Sequence, residues 1–505
     1  MTDNNPEWIG DFCLETAPSP AVIILFGAGG DLACRKLFPS LYQLFRAKLL
    51  HRDFQIACCL RSAEGFREKV RAALPENGPD LREAFLDLLV PVCGNYRQAG
   101  FFSDLRNYLQ ELDRRPGSCR CNRLFYLAVP PDACAGVVAS LHAAGLLEEA
   151  GAGSPWSHVV LEKPFGKDLV SSLELDKRLH QYLREEQIFR IDHYLGKETV
   201  QNIAMLRFAN SIFEPLWNRH YIDHIQITMA EDLGVEHRAG YYEESGLLRD
   251  MFQNHMLAML SLAAMEMPET FSADAVREEQ RKVIDAIRRY TPEDWSANIV
   301  RAQYAAGNGM AGYREEPGVA RDSMTETYAA ARLFIDNDRW QGVPFYIRSG
   351  KRLAARQSEI AIVFKQITHS VFAPVRAEDI AGDTLVMHVQ PEEGMDLTIQ
   401  AKHPGPRLCM GPMTLHFHYS ELAKKTEVTE AYARLLLDAM LGDSTLFMRS
   451  DLITSGWELF SPVLQIWAKE PERIPLRFYP AGSDGPAEGA ALLFRDNREW
   501  RRLEP

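Results

Sequence analysis

The sequence predicts two domains of different class: an α/β half over residues 1–188 built on a doubly wound parallel sheet, and an α+β half over 189–505 with a large antiparallel sheet covered by helices. Three observations predict this. An almost unbroken apolar run, Ala21–Phe26, is followed at once by a glycine cluster, as a parallel strand buried on both faces requires. Further apolar runs alternate with helical periodicity as far as about residue 190, the β-α-β rhythm of a doubly wound sheet. Beyond that point the period changes to two, which marks strands with one buried face.

At roughly 150 residues per domain, 505 residues would allow about three domains, but large sheets make fewer, and two are expected. Hydrophobic residues make up 46% and charged residues 25% of the chain, as in an ordinary packed protein. With 56 Lys and Arg against 69 Asp and Glu the net charge is −13. That balance disfavours nucleic acid and anionic membranes as partners. It leaves room for a local basic pocket around a small phosphorylated ligand. The longest apolar runs, near Ala21–Phe26 and Leu257–Ala264, fall short of the roughly 20 residues of a membrane-spanning helix. The N-terminal MTDNNPEWIGDF lacks the basic region and apolar core of a secretory signal. Nine cysteines are scattered without the spacing of a zinc site or a disulfide framework, so reduced thiols and a cytoplasmic protein are expected.

Taken in order, Ala21–Phe26 is the first strand. Beyond the glycines, Leu37, Leu41, Leu44 and Phe45 recur at helical spacing, with Pro39 near a helix start where its missing donor costs little. Strands are expected at Phe54–Leu60, Leu124–Val129 and Val159–Phe165, with an amphipathic stretch through Leu175, Leu179, Tyr182 and Leu183. In the second half the alternating sets are Ile360/Ile362/Phe364, Leu385/Met387/Val389, Met395/Leu397/Ile399 and Met413/Leu415/Phe417. Pro391-Glu392-Glu393-Gly394 is good hairpin chemistry between two of them, so the sheet should be antiparallel. Helices at about 246–265, 276–290 and 428–441 would cover one face. Residues 305–318, rich in glycine, read as a long loop.

Five segments carry chemistry. Gly27-Ala28-Gly29-Gly30-Asp31-Leu32-Ala33 follows a strand and opens a helix. Glycine lets backbone approach a pyrophosphate closely, and the free N–H groups of a helix start favour its charge, so this Rossmann-like turn points to a dinucleotide. No Gly-Lys-Ser/Thr follows, which excludes a P-loop. Arg61 stands near the end of the second strand, where an NAD-binding protein usually places an acid. It suits a 2′-phosphate, and equally a solvated surface cation. Arg190-Ile191-Asp192-His193-Tyr194-Leu195-Gly196-Lys197-Glu198 gathers more polar groups than packing explains. Lys197 and His193 could clamp a phosphate by charge, with Tyr194 donating a hydroxyl; a salt-bridged surface turn is the competing reading.

The fourth segment, Arg249-Asp250-Met251-Phe252-Gln253-Asn254-His255, lies on an expected helix whose apolar stripe turns His255 inward, beside Asp250 and Asn254. A satisfied core histidine is the commoner explanation of such a position, and only the fold decides whether Asp192 reaches it. Lys163, in Glu162-Lys163-Pro164-Phe165-Gly166, should project from the carboxyl edge of the sheet, where α/β ligands bind. His416 and His418 share one strand face, but two imidazoles without a third ligand nearby do not make a metal site, and none is expected.

Together these segments resemble the glucose-6-phosphate dehydrogenase family along nearly the whole chain. The family's Gly-x-x-Gly-Asp-Leu-Ala turn is matched by Gly27, Gly30, Asp31, Leu32 and Ala33, its Glu-Lys-Pro-Phe-Gly by Glu162–Gly166, and its most diagnostic segment by Arg190–Glu198. Its Arg-Asp-Met-x-Gln-Asn-His is matched at Arg249–His255, and Gly342-Val343-Pro344-Phe345 with Arg348, Gly350 and Lys351 resembles its later substrate segment. The resemblance implies a Rossmann-like coenzyme domain followed by an α+β domain assembling as a homodimer or homotetramer. It implies oxidation of β-D-glucose 6-phosphate at C1 to the 6-phosphogluconolactone with hydride transfer to NADP⁺, NAD⁺ being a weaker alternative, as the first step of the oxidative pentose phosphate pathway. By the same resemblance His255 is the general base and Asp192 orients it. Lys163, His193, Tyr194, Lys197, Glu231, Asp250, Lys351 and Arg356 bind the sugar phosphate. Gly27, Ala28, Gly29, Gly30, Asp31 and Leu32, with Arg61, Tyr126 and Lys163, hold the coenzyme.

The chain departs from the family's usual pattern in four places. Gly29 replaces a serine and Cys34 a lysine in the glycine turn, and Asp338 and Asp484 stand where tryptophan is expected. A sensor that kept the fold but lost most activity, or a dehydrogenase for another hexose 6-phosphate, remain the alternative functions.

Overall fold

The computed structural model describes residues 18–504, apart from 52–53, 77–78, 115–121, 149–154, 373–374, 407–408 and 420–429. Cys13, Cys119 and Cys121 therefore lie outside the described residues; the other six cysteines are free thiols. Among the described residues no helix is long and apolar enough to cross a membrane. The chain divides into two compact units, though not by a single cut at 188/189. The first comprises Met1–Glu162, Arg178–Ile191 and Tyr432–Ser444, the second Lys163–Lys177, Asp192–Ala431 and Thr445–Pro505. Packing rather than chain adjacency assigns a segment to a unit. His158 of the first unit bonds the Ala439 carbonyl at 2.8 Å, which ties in a helix, Ala431–Leu441, from late in the sequence.

In the first unit β1 (Ala21–Phe26), β2 (Gln55–Leu60), β3 (Leu89–Cys93), β4 (Asn122–Leu127), β5 (Ser157–Leu161) and β6 (Ile188–Ile191) are all paired in parallel, in the order β6-β5-β4-β1-β2-β3. Every residue of β1 is buried, as its unbroken apolar run requires. Read from the other side the order is 3-2-1-4-5-6, and it reverses direction between β1 and β4, where an open α/β sheet binds its ligand. The glycine cluster leaves β1 at that point. Pro39 sits in the first turn of the helix Phe38–Arg46 as expected. The expected strand Val159–Phe165 stops at Leu161, so Lys163 belongs to the connection beyond it.

The second unit is built on a nine-stranded sheet in the order β14-β13-β12-β11-β7-β10-β9-β8-β16. Its strands are β7 (Ile222–Ala230), β8 (Ile299–Ala305), β9 (Tyr328–Phe334), β10 (Pro344–Gly350), β11 (Gln357–Phe364), β12 (Thr384–Gln390), β13 (Gly394–Lys402), β14 (Met410–His418) and β16 (Arg477–Pro480). The two-residue strand β15 (Phe447–Met448) precedes the long helix Ser450–Lys469. The expected hairpin joins β12 to β13. The sheet is antiparallel, as expected, except for β7 with β10 and β8 with β16, which run parallel. The parallel register sets Ala230 beside Gly350. It thereby brings the next residue of each strand, Glu231 and Lys351, to the same sheet edge.

The expected helix over 246–265 is three pieces: Ala239–Leu247, a π-helical segment Leu248–Met256, and Leu257–Ala264. Gly246 takes φ +64, and a Cβ there would lie 2.4 Å from a Glu326 carboxylate oxygen, so only glycine fits the kink. The wider π turn abolishes the clean helical stripe. Eight of its nine residues are buried, His255 among them. Asp338 and Asp484 are both exposed, so exchanging tryptophan for a carboxylate at either position leaves the core intact.

Candidate active site

His255 is 1% exposed and Asp192 2%, and the His255 Nδ1 lies 2.5 Å from Asp192 Oδ1. The same oxygen accepts the Tyr194 backbone N–H at 3.0 Å, while the Leu195 N–H bonds the Asp192 carbonyl. The Asp192–Lys197 turn thus fixes its own acid before the helix Glu198–Phe208 begins. Burial alone would raise the Asp192 carboxyl, but His255, with His193 and Lys163 behind it, outweighs burial and holds it at about 2. An ionised carboxylate on Nδ1 selects the tautomer with its proton there. Nε2 is then the basic nitrogen.

That nitrogen is not idle. Lys163 Nζ sits 2.6 Å from it, 3.1 Å from the Asp250 carbonyl and 3.2 Å from Asp250 Oδ1. The three acceptors use all three ammonium protons. Replacing the Nε2 contact by a substrate hydroxyl leaves Lys163 anchored through Asp250. Burial favours a neutral Asp250, but Lys163 and Lys351 outweigh it and keep the carboxyl below the usual carboxylate range. Tyr241 adds a hydroxyl donor to the same carboxylate at 3.4 Å. Lys351 Nζ is 2.5 Å from Glu231 Oε2 and lies over the Tyr242 ring, so the strand register joins the two residues that the sequence assigned to the sugar.

His193 and Tyr194 pack edge-on and tilted against the His255 ring, with centroids 4.9 and 4.7 Å away. Burial, with His255 and Lys163 next, lowers the His193 imidazole to about 3, so at neutral pH it is a neutral hydrogen-bonding group. Burial pushes the Tyr194 phenol up to about 12, so it remains a donor. Lys197 lies 3.7 Å from Glu393 Oε1, and the other Glu393 oxygen accepts the Thr199 N–H at 2.9 Å. The chain's own Glu393 carboxylate is thus held by a lysine and a helix-start amide. Arg356 is exposed and donates to Gln390 at 3.3 Å.

Tyr241 and Glu393 escaped the sequence reading. Tyr241 lies only nine residues from Asp250, a signal that was present, whereas Glu393 reads as turn chemistry until the hairpin is folded.

In the first unit the glycine turn closes with a Gly30 N–H to Gly27 carbonyl bond of 2.8 Å. Gly27 has φ +79, and a Cβ on it would meet the Ala128 carbonyl at 2.1 Å, so the turn must stay bare. A Cβ on Gly29 would meet nothing within 4 Å; serine is sterically allowed there and its absence removes only a hydroxyl. Ala28 is buried, Leu32 half-buried, and exposed Asp31 pairs with Arg35 at 3.2 Å. Lys69 reaches in from the helix Phe66–Ala73 to donate to the Gly29 carbonyl at 2.6 Å. It returns a cation to the turn where Cys34 stands for lysine. Arg61 is exposed just after β2. Tyr126 is fully buried with its hydroxyl donating to Glu162 at 2.5 Å, so a coenzyme contact would require that bond to open.

A bare glycine turn at the reversal of a parallel sheet, together with a buried His–Asp pair contacted by Lys163 in the second unit, defines a pyridine-nucleotide-dependent dehydrogenase. The chain belongs to the glucose-6-phosphate dehydrogenase family. It matches the family's NAD binding domain over residues 24–202 and its C-terminal domain over 204–501. It is 40% identical to glucose-6-phosphate 1-dehydrogenase of Chlamydia pneumoniae, with all of both chains covered. With the enzyme of that name from Aggregatibacter actinomycetemcomitans it is 43% identical, over 95% of this chain and 97% of the relative. A solved glucose-6-phosphate dehydrogenase in complex with its substrate glucose 6-phosphate superposes with a TM-score of 0.89 at 34% identity, covering 96% of this chain and 100% of that one. The corresponding enzyme of Mycobacterium avium gives 0.80 at 33% identity, with the same coverage of each chain.

Proposed function

We propose that the protein oxidises D-glucose 6-phosphate at C1 to 6-phospho-D-glucono-1,5-lactone with NADP⁺ as acceptor, the first step of the oxidative pentose phosphate pathway. The observation that carries this reading is the buried Asp192–His255 pair with its Nε2 presented to Lys163. His255 Nε2 takes the proton of the C1 hydroxyl, and Asp192 stabilises the imidazolium that results. As the O–H bond breaks, the C1–H electron pair can leave as hydride. The nicotinamide, when bound, supplies the acceptor. Asp250, Lys351 and Glu231 hold the sugar hydroxyls, and Lys197 with Tyr194 and neutral His193 holds the phosphate. The first test is reduced-coenzyme absorbance with purified protein, glucose 6-phosphate and either coenzyme. Binding of both ligands without turnover would favour the sensor alternative.

The phosphate assignment has its own test. Lys197→Ala should weaken glucose 6-phosphate by about 10- to 150-fold, the loss of one charge-assisted contact of roughly 1.5–3 kcal/mol, while free glucose is hardly affected. Equal losses for both sugars would reassign Lys197.

NADP⁺ is preferred over NAD⁺ in this reading because the end of β2 carries Arg61 rather than an acid, and Lys69 adds a second cation beside the turn. Arg61→Ala should lower kcat/KM for NADP⁺ by about 10- to 100-fold and leave NAD⁺ nearly unchanged. The comparison is made at one ionic strength, since exposed charges are screened. A wild type that prefers NAD⁺ would show that Gly29 and Cys34 have switched the specificity.

A homodimer or homotetramer in the cytoplasm completes the reading. Its support is the edge strand β14, where Met413, Leu415 and Phe417 are 46%, 51% and 36% exposed on one face. Leu415→Glu should lower the mass measured by light scattering; an unchanged mass would place the interface elsewhere.

A further inference from the structure

We infer that the outer strands of the second unit's sheet carry a binding site for a divalent zinc-class ion, formed by Asp396, His416 and His418 with His388 supporting them. Two imidazoles on one strand face lack a third ligand in the sequence, and the sheet supplies it. β13 pairs antiparallel with β14 so that Asp396 lies directly opposite His416 and Gly394 opposite His418. One ligand atom from each of Asp396, His416 and His418 can be chosen so that all lie within 4.8 Å of one another. A tetrahedral site with bonds of about 2.0–2.1 Å needs ligand atoms about 3.4 Å apart. Side-chain rotation would have to close the remaining gap.

The surroundings are arranged as a metal site needs. His416 Nδ1 is 2.8 Å from Asp396 Oδ1, and the His416 and His418 rings stand parallel, 6.3 Å apart between centroids. The other Asp396 oxygen lies 3.1 Å from His388 Nε2, whose Nδ1 is 3.7 Å from Glu359. This is a histidine–carboxylate relay of the kind that orients a ligating carboxylate. Gly394 leaves room, since a Cβ there would lie 3.2 Å from His418 Nδ1 and 2.4 Å from the Phe417 carbonyl. His416 is 58% exposed, so an ion has an open path and a fourth position for water. Two imidazoles and one carboxylate suit zinc better than calcium or magnesium, which prefer oxygen throughout. The ion would tie β12, β13 and β14 together across a sheet edge held otherwise by backbone bonds and side-chain contacts.

The test uses the intact protein after chelator treatment and dialysis, titrated with Zn²⁺ by calorimetry and with Co²⁺ by visible absorption. One ion per chain is expected, with the intense absorption of tetrahedral cobalt. His416→Ala and His418→Ala should abolish binding, and His388→Ala should weaken it by about 10- to 100-fold, as loss of an outer-shell partner does. Melting in the absence of metal checks that the variants fold, and added Zn²⁺ should raise the melting temperature of the wild type but not of the double variant. Asp192, His193 and His255 form a second possible cluster, so His255→Ala is titrated in parallel. Absence of saturable binding overturns the inference. So does binding that survives the His416→Ala/His418→Ala double variant, or binding lost only in His255→Ala.

Discussion

Replacing His255 by alanine should lower kcat by about 10²–10⁴-fold, the usual scale for losing a positioned general base, while KM for the sugar phosphate changes little. The separation follows from the geometry. His255 is buried with Nδ1 committed to Asp192 and Nε2 to Lys163, whereas Lys197, Lys351 and Glu231, the residues proposed to bind the sugar phosphate, lie on other elements and pair with other partners. Loss of the imidazole also frees one Lys163 proton, but the two Asp250 contacts keep the ammonium in place. Steady-state kinetics of a variant with unchanged melting decide the matter. Near-normal turnover would assign the base elsewhere.

The second large effect is expected from Asp192→Asn, an isosteric change that removes a charge. Asp192 Oδ1 accepts from both the His255 ring and the Tyr194 amide, and Oδ2 is buried without a hydrogen-bonding partner among the described residues. An asparagine that keeps its oxygen at Oδ1 leaves a buried NH₂ unpaired, at a cost of about 1–3 kcal/mol. Turned over, it donates to Nδ1 and forces the proton to Nε2, which abolishes the base. Either way kcat should fall by about 10²–10⁴-fold, because a neutral amide also no longer stabilises the imidazolium. A purely structural role would be exposed by a lowered melting temperature with kcat intact.

The same carboxylate sets a pH dependence of stability. Its pKa is depressed in the folded protein, to about 2 from 3.8, so its contribution is fully present above the unfolded value and is lost as pH falls through the folded one. Denaturant melts of wild type and Asp192→Asn should therefore converge as pH drops from about 4 toward 2. Curves that stay parallel would show that the pair does not couple to folding.

Much of this was legible along the chain. Ala21–Phe26 could only be a doubly buried strand, Gly27–Ala33 follows it as a bare turn, and the alternating sets at 360–364, 385–389, 395–399 and 413–417 each became a strand. What periodicity could not supply was neighbourhood. β3, β6 and the central strands β7 to β10 are short or evenly buried runs whose pattern does not distinguish them from other apolar segments. The parallel pairing of β7 with β10 is invisible to a pattern of period two, because alternation is the same whichever way the partner runs.

The sequence by itself determined the residue types: a base, acids and lysines in segments whose order identifies the family, and a glycine turn without a side chain. Only the tertiary structure decided which of them act on one another. Asp192 and His255 are 63 positions apart and meet at 2.5 Å. Glu231 and Lys351 are 120 apart and meet because two strands share a register. Burial lowers the His193 imidazole, and one antiparallel pairing sets Asp396 directly opposite His416. The reason is physical. Chemical identity is carried by each residue alone, but hydrogen bonds, ion pairs and shifted pKa values act over a few ångströms and depend on which distant segments packing brings together.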